Sequence, residues 1–322
     1  MSKIPVKLSN SIALAILVTV IIATAESPAN PQSFNSYILQ AVDYIAKNYS
    51  AKGYGQAAYT HDLPYGNTVV KASRPPETMC VAAVAEVIIT ALNIYMHQTG
   101  DETPLKYLPV SSWERLRLTD IKSHIWVDSR LKSNGTADAL STFGIGRHAR
   151  FSELTPGAFI NINRDNGSGH AVVFLGFIDA NGKDVSTYGP SVAGFKYFSS
   201  QGKHGATGSG FGYRYAFFDK DGVPFCPTLA SDMKRDCGIK FSKDYTILNC
   251  GYMIMPAQWD DEYRQQSLDK LAKRLYNQDY SRGPGIFPTI HAKNEADFIT
   301  QLKTHDTMQL NPKYITEDLV DQ

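Results

Sequence analysis

The sequence has no run of five or more charges of one sign, and its 32 basic residues almost balance its 31 acidic residues, which gives a net charge of +1. Proteins that bind nucleic acid usually carry a clustered basic surface, so the charge pattern excludes nucleic acid as an expected partner. The 322 residues are 43% hydrophobic, which is too apolar for a disordered chain and sufficient for a large core.

Metal and nucleotide motifs are missing as well. The chain has no His-Glu-x-x-His motif and no pair of cysteines at short spacing, which excludes the common zinc sites. The glycines of residues 204–214 fit neither the phosphate-loop spacing nor the dinucleotide-binding spacing, so we expect a turn between strands there. We therefore expect neither a metal nor another cofactor.

The first 25 residues differ from the rest of the chain. Lys3 and Lys7 precede an uncharged, apolar stretch at residues 11–25 that ends in Ala-Thr-Ala. A basic start, an apolar centre and small residues before a cleavage point are typical of a signal peptide. We predict cleavage of residues 1–25 and a secreted or periplasmic mature protein with no further membrane segment. The alternative is an uncleaved anchor, because the uncharged length is just enough to span a bilayer.

Cysteines are few, and their positions are informative: Cys80, Cys226, Cys237 and Cys250. Thiols outside the cytoplasm tend to form disulfides. Cys226 and Cys237 are close together in a loop-like segment and are expected to be able to bridge. Cys80 could pair with Cys250 or remain a thiol, and a thiol left out of the disulfides of an exported protein indicates reactivity.

Cys80 lies at the start of an unusually apolar helical pattern. Residues 78–99 carry apolar side chains on nearly every face, with Glu86 as the only charge, and Gly100 follows. This pattern predicts a helix that is buried on most sides, with Thr78 as its N-cap and Gly100 just past its end.

The remaining patterns predict an α+β fold. An amphipathic helix is expected at residues 33–49, a loop at 58–77, and short helices and loops at 101–150. Strand patterns joined by short turns then predict an antiparallel sheet, at residues 154–162, 168–179, 193–201, 211–219 and 245–255. Helical patterns return afterwards, without repeats or β-α-β alternation. We expect a single domain over residues 26–322 with a C-terminal helical extension at about 256–322, which could cover the sheet, restrict a cleft or bind a partner.

Cys80 is the candidate nucleophile. A thiol attacks a carbonyl only as the thiolate, and the unpaired N–H groups and macrodipole of a helix N-terminus favour negative charge. At about the second helical position, Cys80 has that placement, and the same N–H groups could hold the oxyanion of a tetrahedral intermediate. The alternative is that Cys80 is a small buried hydrophobe of the core.

His170 is the candidate base. It begins an apolar strand pattern just after a glycine-rich turn at residues 166–169. Side chains alternate along a strand, so His170 should share a face with Val172, Phe174 and Gly176. A helix packed on that face would bring its first turn beside the imidazole. The alternative is an ordinary histidine at a strand end.

The order of these motifs resembles a known family. A cysteine at the start of a buried helix is followed by Leu-x-Pro-Gly-x-Phe-Ile at residues 154–160 and by Ser-Gly-His-Ala-Val-Val-Phe-Leu-Gly at residues 168–176. This order is similar to that of the papain-like cell-wall cysteine peptidases and amidases of the NlpC kind. A Gly-Asp pair commonly starts the strand before the histidine strand in that family, whereas here the pair is Gly157-Ala158. The resemblance covers residues 58–201, less than half of the chain.

The resemblance implies a papain-like core, with the buried N-terminal helix packed on an antiparallel sheet, and roles for particular residues. Cys80 would be the nucleophile, His170 the base, and a polar residue on the next strand would orient the imidazole. Gln201 is the candidate for that third role, because its carbonyl oxygen could accept a hydrogen bond from the imidazole; the alternative is a solvated residue at a strand end. Asp179 is at the far end of the histidine strand, which argues against it. Tyr65, upstream of the nucleophile, is the candidate donor to the oxyanion.

Together these residues predict an exported cysteine hydrolase that cleaves an amide bond, and the resemblance implies peptidoglycan stem peptides as its substrate. Two alternatives stay open. One is a non-catalytic exported binding or structural protein on the same scaffold, with all four cysteines paired. The other is a transglutaminase-like acyltransferase, because cysteine and histidine alone do not determine whether water or an amine accepts the acyl group.

Overall fold

The computed structural model describes residues 33–51, 59–126, 129–163, 169–202, 210–282 and 286–310. These residues combine helices with a large sheet, which confirms the α+β class. The leader predicted at residues 1–25 lies outside the described residues.

Two long helices begin the helical layer, α1 (Asn35–Asn48) and α2 (Cys80–Thr99), and they pack on each other. Of the described helices, α2 alone is long and apolar enough to cross a membrane, yet 83% of its apolar stretch is buried inside the protein. It is thus the central core helix that its composition predicts. Gly100 ends it in the left-handed conformation, with φ of 73°, and donates its N–H to the carbonyl of Met96.

The start of α2 differs from the prediction in one detail. The helix begins at Cys80, and its N-cap is Met79, which provides no side-chain cap. The first helical hydrogen bond runs from the Ala83 N–H to the Met79 carbonyl, at 2.7 Å. Thr78 is not the cap, because its side chain hydrogen-bonds to Glu86 instead. Cys80 is therefore the first helical residue of α2 rather than the second, one position closer to the N-terminus of the helix than predicted.

The predicted short helices follow α2 in the chain and precede the main sheet. They are α3 (Thr103–Tyr107), α4 (Ser111–Glu114), α5 (Ile121–Ile125) and α6 (Thr136–Thr142). The predicted loop at residues 58–77 contains a small hairpin of two strands, β1 (Leu63–Tyr65) and β2 (Thr68–Val70), whose turn includes Gly66 at φ of 61°.

The main sheet has eight strands within the described residues. They are β3 (Gly146–His148), β4 (Phe159–Asn163), β5 (Gly169–Ile178), β6 (Asp184–Val185), β7 (Gly194–Gln201), β8 (Gly210–Phe218), β9 (Arg235–Ile239) and β10 (Leu248–Met253). The order across the sheet is β3-β10-β4-β5-β7-β8-β9, with β6 paired to β5. Neighbouring strands are antiparallel as predicted, except that β8 and β9 are parallel.

Each face of the sheet contributes to a separate apolar cluster. The helix-side cluster joins α2 to alternate sheet residues, among them Phe159, Ala171, Val173 and Phe198. The far-side cluster contains the residues between them, among them Ile160, Ile162, Val172, Phe174 and Tyr197. This division follows from the alternation of side chains along each strand.

The described part of the C-terminal extension contains two α-helices, α7 (Asp261–Arg282) and α8 (Glu295–Thr304). Their buried side chains belong to the helix-side cluster, among them Leu268, Ala272, Leu275, Phe298 and Leu302. Main-chain hydrogen bonds add to this packing, from the Leu118 N–H to the carbonyl of Leu302 and from the Met308 N–H to the carbonyl of Leu116. The described part of the extension thus packs on the helix-side cluster and bonds to the segment between α4 and α5, and none of its described residues belongs to the far-side cluster.

Candidate functional site

His170 is the second residue of β5 and is completely buried. On one side it pairs with Ile162 of β4. On the other side the register pairs Val173 with Phe198, and counting along the two antiparallel strands places Gln201 opposite His170. The imidazole therefore lies where β5 begins and β7 ends.

Gln201 contacts His170, as the sequence predicts, but through a different atom. Its amide nitrogen Nε2 lies 2.9 Å from His170 Nε2, and both side chains are buried. The same Nε2 donates to the hydroxyl of Tyr197 at 3.4 Å. The expected acceptor, Gln201 Oε1, is instead buried without a hydrogen-bond partner among the described residues.

The polar network beyond Gln201 explains this orientation. The Tyr197 hydroxyl donates its single proton to Asp236 Oδ2 at 2.9 Å, so towards Gln201 it can only accept. The amide nitrogen, with two protons, can serve both Tyr197 and the imidazole. A chain of buried polar groups thus connects His170 on β5 to Asp236 on β9, and the Tyr197 ring also contacts the imidazole edge-on, with 5.5 Å between the ring centroids.

The orientation of Gln201 determines which nitrogen of the imidazole carries the proton. With the amide nitrogen as donor, His170 Nε2 is an acceptor, and the neutral ring carries its proton on Nδ1. If the amide made a half-turn and the neutral ring carried its proton on Nε2 instead of Nδ1, Oε1 would accept a hydrogen bond from Nε2–H, and Nδ1 would have the lone pair that a base needs. The His170–Gln201 pair can therefore exist in two arrangements. Only the arrangement with Gln201 Oε1 facing His170 Nε2 lets Nδ1 remove a proton from a thiol.

The cysteines divide into one bridge and two thiols. Cys226 and Cys237 form a disulfide with an S–S distance of 2.04 Å and a Cα–Cα distance of 5.4 Å, which confirms that pair. Cys80 and Cys250 are both buried and outside any disulfide. Cys80 belongs to the helix-side cluster and Cys250 to the far-side cluster. The arrangement with all four cysteines paired is therefore not the one that the structure has.

Helix α2 lies on the face of β5 opposite to the one that carries His170. It packs on β5 and β7, and Ala171 and Val173 share the helix-side cluster with Cys80. Val172 and Phe174, which alternate in phase with His170, belong to the far-side cluster, and no residue of α2 does. The first turn of α2 would lie beside the imidazole if the helix packed on the face that carries His170, and this condition is not met, because strand alternation places His170 on the other face. The pairing of the Cys80 thiol with His170 remains a prediction, and the two groups would meet around the end of β5, beside Gly169.

The side chain of Tyr65 is buried and contacts the main chain of α3. Its hydroxyl is buried and lies 3.0 Å from the carbonyl of Pro104 and 2.9 Å from that of Leu108, at the two ends of α3. Burial raises the pKa of Tyr65 well above its usual value. The single hydroxyl proton is thus used to hold α3, and this geometry does not support the predicted role as oxyanion donor.

Glu86 is the only charged residue predicted on its helix, and the sequence alone gives it no role. The side chain is completely buried, and its carboxylate accepts hydrogen bonds from the Thr60 N–H at 2.9 Å and the Thr60 hydroxyl at 2.7 Å. Burial raises the pKa of Glu86 to about 7, although the hydrogen bonds from Thr60 and Thr78 oppose the shift. Glu86 therefore joins two segments, one before the hairpin and one immediately before Cys80. The signal that could have found it is a lone carboxylate in an otherwise apolar helix.

His61 lies beside this buried carboxylate. Its ring stacks on Tyr49, with centroids 3.4 Å apart, and its Nδ1 is 2.8 Å from the Thr60 hydroxyl oxygen and 3.9 Å from Glu86 Oε2. Burial lowers the pKa of His61 to about 4, so the ring is neutral at pH 7. The neutral ring donates to Thr60, whose own proton goes to Glu86.

Within the described ranges, no group of three or more His, Cys, Asp or Glu side chains is placed to hold a metal ion.

Comparisons with known proteins add no family assignment. No protein-family model matches the chain, and neither the search of curated proteins nor that of solved structures found a match.

Proposed function

We propose that the protein is an exported cysteine hydrolase with a papain-like core of the NlpC kind, which cleaves an amide bond in peptidoglycan stem peptides. The observation that carries the proposal is the buried contact between His170 and Gln201, with Nε2 atoms 2.9 Å apart. A cysteine hydrolase needs an imidazole that is held in one orientation by a third polar group. The reduced thiol of Cys80, on the first residue of a buried helix, supplies the nucleophile.

The reaction begins with proton transfer from the Cys80 thiol to His170. The thiolate attacks the substrate carbonyl carbon, and N–H groups of the first turn of α2 stabilise the resulting oxyanion. As the intermediate collapses, the imidazolium gives its proton to the departing amine, and a thioester remains on Cys80. Water, deprotonated by His170, then attacks the thioester, and the thiol is restored when the acid product leaves.

Gln201 has a defined part in this cycle. An imidazolium carries protons on both nitrogens, so Gln201 must present Oε1 to Nε2 while the ring is charged. In a fully buried setting, an uncompensated positive charge would be costly, and a carbonyl oxygen at about 3 Å offsets part of that cost. The half-turn of the amide is thus a step of the proposed mechanism.

The test is mass spectrometry of purified peptidoglycan digested with the wild type and with variants. We expect Cys80→Ala and His170→Ala to abolish the release of cleaved stem peptides, with folding retained by circular dichroism. His305→Ala is the control, because it removes a histidine that is exposed at the C-terminal end of α8. Near wild-type cleavage by Cys80→Ala or His170→Ala would overturn the proposal. A parallel digest with an added primary amine identifies hydrolysis if no amine is incorporated into the products.

A further inference from the structure

A second candidate site is a cavity of about 320 Å³ that is lined by His61 and by residues of α1, β1 and the second half of α2. A volume of this size is typical of small-ligand sites. The first residue of α2 in its lining is Thr90, which follows Cys80 by ten positions, or roughly 15 Å along the helix axis. The proposed reaction does not use this cavity.

His61 presents a hydrogen-bond acceptor to the cavity. Its Nδ1 donates to the Thr60 hydroxyl at 2.8 Å, and that hydroxyl donates to Glu86 at 2.7 Å. The ring is neutral at pH 7, because burial lowers its pKa to about 4, so Nε2 has a free lone pair. Nδ1 faces Thr60 and one face of the ring covers Tyr49, which leaves the edge with Nε2 to line the cavity.

Asn93 presents the complementary group, a hydrogen-bond donor. The Gly66 N–H donates to its Oδ1 at 2.9 Å, and because an N–H needs an oxygen acceptor here, this contact determines which way the amide points. The Nδ2 amino group has two protons and makes no hydrogen bond to any described residue. An acceptor from His61 and an oriented donor from Asn93 thus line the same cavity.

The walls of the cavity combine a flat aromatic ring with small apolar surfaces. Tyr44 is 45% exposed, and its ring contacts Tyr49 edge-on, with 5.9 Å between the centroids. Tyr49 in turn stacks on His61, so the three rings hold one another in place. Pro64 and Ile94 supply aliphatic surface. An exposed ring beside a concavity indicates a binding surface, and walls that are already ordered lose little side-chain entropy when a ligand binds.

The lining of the cavity favours a neutral ligand. Of the described residues that line it, none is Asp, Glu, Lys or Arg. Gln98 adds a further neutral polar group, since its Nε2 donates to Gln40 Oε1 at 2.9 Å and its own Oε1 remains an acceptor. A charged ligand would lose its hydration without gaining an oppositely charged partner, whereas a neutral ligand with both donors and acceptors would be matched.

We propose that this cavity binds the acetamido group of an N-acetylated sugar, with the sugar ring against Tyr44. The acetamido N–H can donate to His61 Nε2, and its carbonyl oxygen can accept from Asn93 Nδ2. Its methyl group can lie against Pro64 and Ile94, and the flat C–H face of the sugar ring can cover the exposed ring of Tyr44.

The source of the sugar rests on the proposed function, whereas the ligand chemistry rests on the cavity alone. Both sugars of the peptidoglycan glycan strand carry an acetamido group, and neither acetamido group takes part in the bond to the stem peptide. The distance from Cys80 means that the bound sugar is not the reacting group. Its binding would instead hold the glycan strand, so that remote binding energy helps to position the stem peptide.

The experiment is calorimetric titration of the full-length wild type with three probes. They are N,N′-diacetylchitobiose, cellobiose, which has the same linkage but a hydroxyl in place of each acetamido group, and a free stem peptide. We expect diacetylchitobiose to bind with a Kd of roughly millimolar or tighter, and cellobiose to bind about tenfold or more weakly.

Variants assign the binding to the cavity. Asn93→Asp keeps the oxygen that accepts from Gly66 but removes the donor, and we expect it to weaken diacetylchitobiose binding about tenfold. Tyr44→Ala should weaken binding by about the same factor. The matched controls are Asn181→Asp, in an exposed turn, and Tyr263→Ala, a ring that is 44% exposed. Neither residue lines the cavity, so both controls should bind like the wild type.

Three results would overturn the inference: no binding of diacetylchitobiose, equal binding of cellobiose, or binding that survives both Asn93→Asp and Tyr44→Ala. Binding of the stem peptide that these two variants abolish would also overturn it, because the cavity would then hold peptide. The outcomes separate the two proposals. If the wild type cleaves peptidoglycan but diacetylchitobiose does not bind, the sugar site is wrong and the hydrolase stands. If the sugar binds as expected but Cys80→Ala still cleaves, the sugar site stands and the hydrolase proposal is wrong.

Discussion

The hydroxyl of Thr60 lies 2.7 Å from Glu86 Oε2, and the backbone N–H of the same residue lies 2.9 Å from Oε1. One residue therefore supplies a hydrogen bond to each oxygen of a fully buried carboxyl group. These bonds favour the charged form, but burial has the larger effect, and the pKa of Glu86 rises to about 7. The carboxyl group is thus close to half protonated at neutral pH.

Glu86→Gln should remove a pH dependence of stability. In the folded state the pKa of Glu86 is about 7, against 4.5 for an exposed glutamate, so its favourable contribution is complete below pH 4.5 and is lost as the pH rises through 7. We expect the wild type to lose up to about 3 kcal/mol relative to Glu86→Gln between pH 5 and 8. Urea unfolding at several pH values measures this difference.

His61 changes the stability with pH in the opposite direction, and this effect cancels when the wild type is compared with Glu86→Gln. Its pKa is lowered to about 4, so its contribution is present above pH 6.5 and is lost as the pH falls towards 4. Because His61 is present in both proteins, their difference reports Glu86. The control Glu262→Gln, an exposed position on α7, should follow the wild type. Parallel curves for the wild type and Glu86→Gln would contradict the prediction.

Substitutions of Gln201 should change both the rate of the proposed reaction and the pH dependence of that rate. We expect Gln201→Ala to lower kcat about tenfold or more with little change in KM, because the imidazole loses its support on β7. Gln201→Glu should keep more activity and move the profile to higher pH, since a carboxylate favours the imidazolium. The measurement is kcat and KM on a soluble muropeptide between pH 5 and 9.

Tyr197→Phe tests how much the Asp236 end of the hydrogen-bond network contributes, apart from the contact of Gln201 with His170. It removes the link from Gln201 to Asp236 but leaves the amide beside His170. We expect a smaller loss of kcat than for Gln201→Ala. An unchanged pH profile in all three variants would show that Gln201 only fills space at a strand end.

Much of the architecture could be predicted because local patterns agreed with the fold. The apolar content of α2 and the alternation of β4, β5, β7, β8 and β10 are strong signals, and all six elements exist within the described residues. The short strands β3 and β9 were missed, because three to five residues of mixed polarity carry little periodicity. The hairpin of β1 and β2 was masked by Pro64, which is tolerated there because the two strands form a sheet of their own.

The site was predicted less completely, for reasons that are specific to its residues. Gln201 could be placed beside His170 because antiparallel register brings the end of one strand to the start of the next. The direction of its amide depended on Asp236, thirty-five positions away on a strand that no pattern revealed. The face on which α2 packs depended on the twist and closure of the sheet, which alternation in one strand does not determine.

Thiol titration tests the state of the cysteines. Unfolded, non-reduced protein should contain two reactive thiols, and Cys80→Ala and Cys250→Ala should contain one each. In the folded protein Cys250 should react slowly, since burial raises its pKa to about 12. If no thiol reacted, all four cysteines would be paired, as in the non-catalytic scaffold. If four thiols reacted, the Cys226–Cys237 disulfide would not exist.

Tyr65→Phe distinguishes a structural role from a catalytic one. The change removes the hydroxyl that contacts the carbonyls of Pro104 and Leu108, so we expect a loss of about 1–3 kcal/mol in the free energy of unfolding. The kcat of the remaining folded protein should be unchanged. A large fall in kcat without a loss of stability would instead support the oxyanion role.

Cys237 directly follows Asp236, and so the disulfide to Cys226 anchors the strand that ends the hydrogen-bonded chain to the imidazole. Among the described strands, β9 is the outermost on its side of the sheet. In a reducing environment that strand would lose its covalent tether, and the support of His170 would begin to loosen from its far end. We therefore expect the base to be fully organised only where thiols are oxidised, so that the compartment in which the chain folds determines when it can become active.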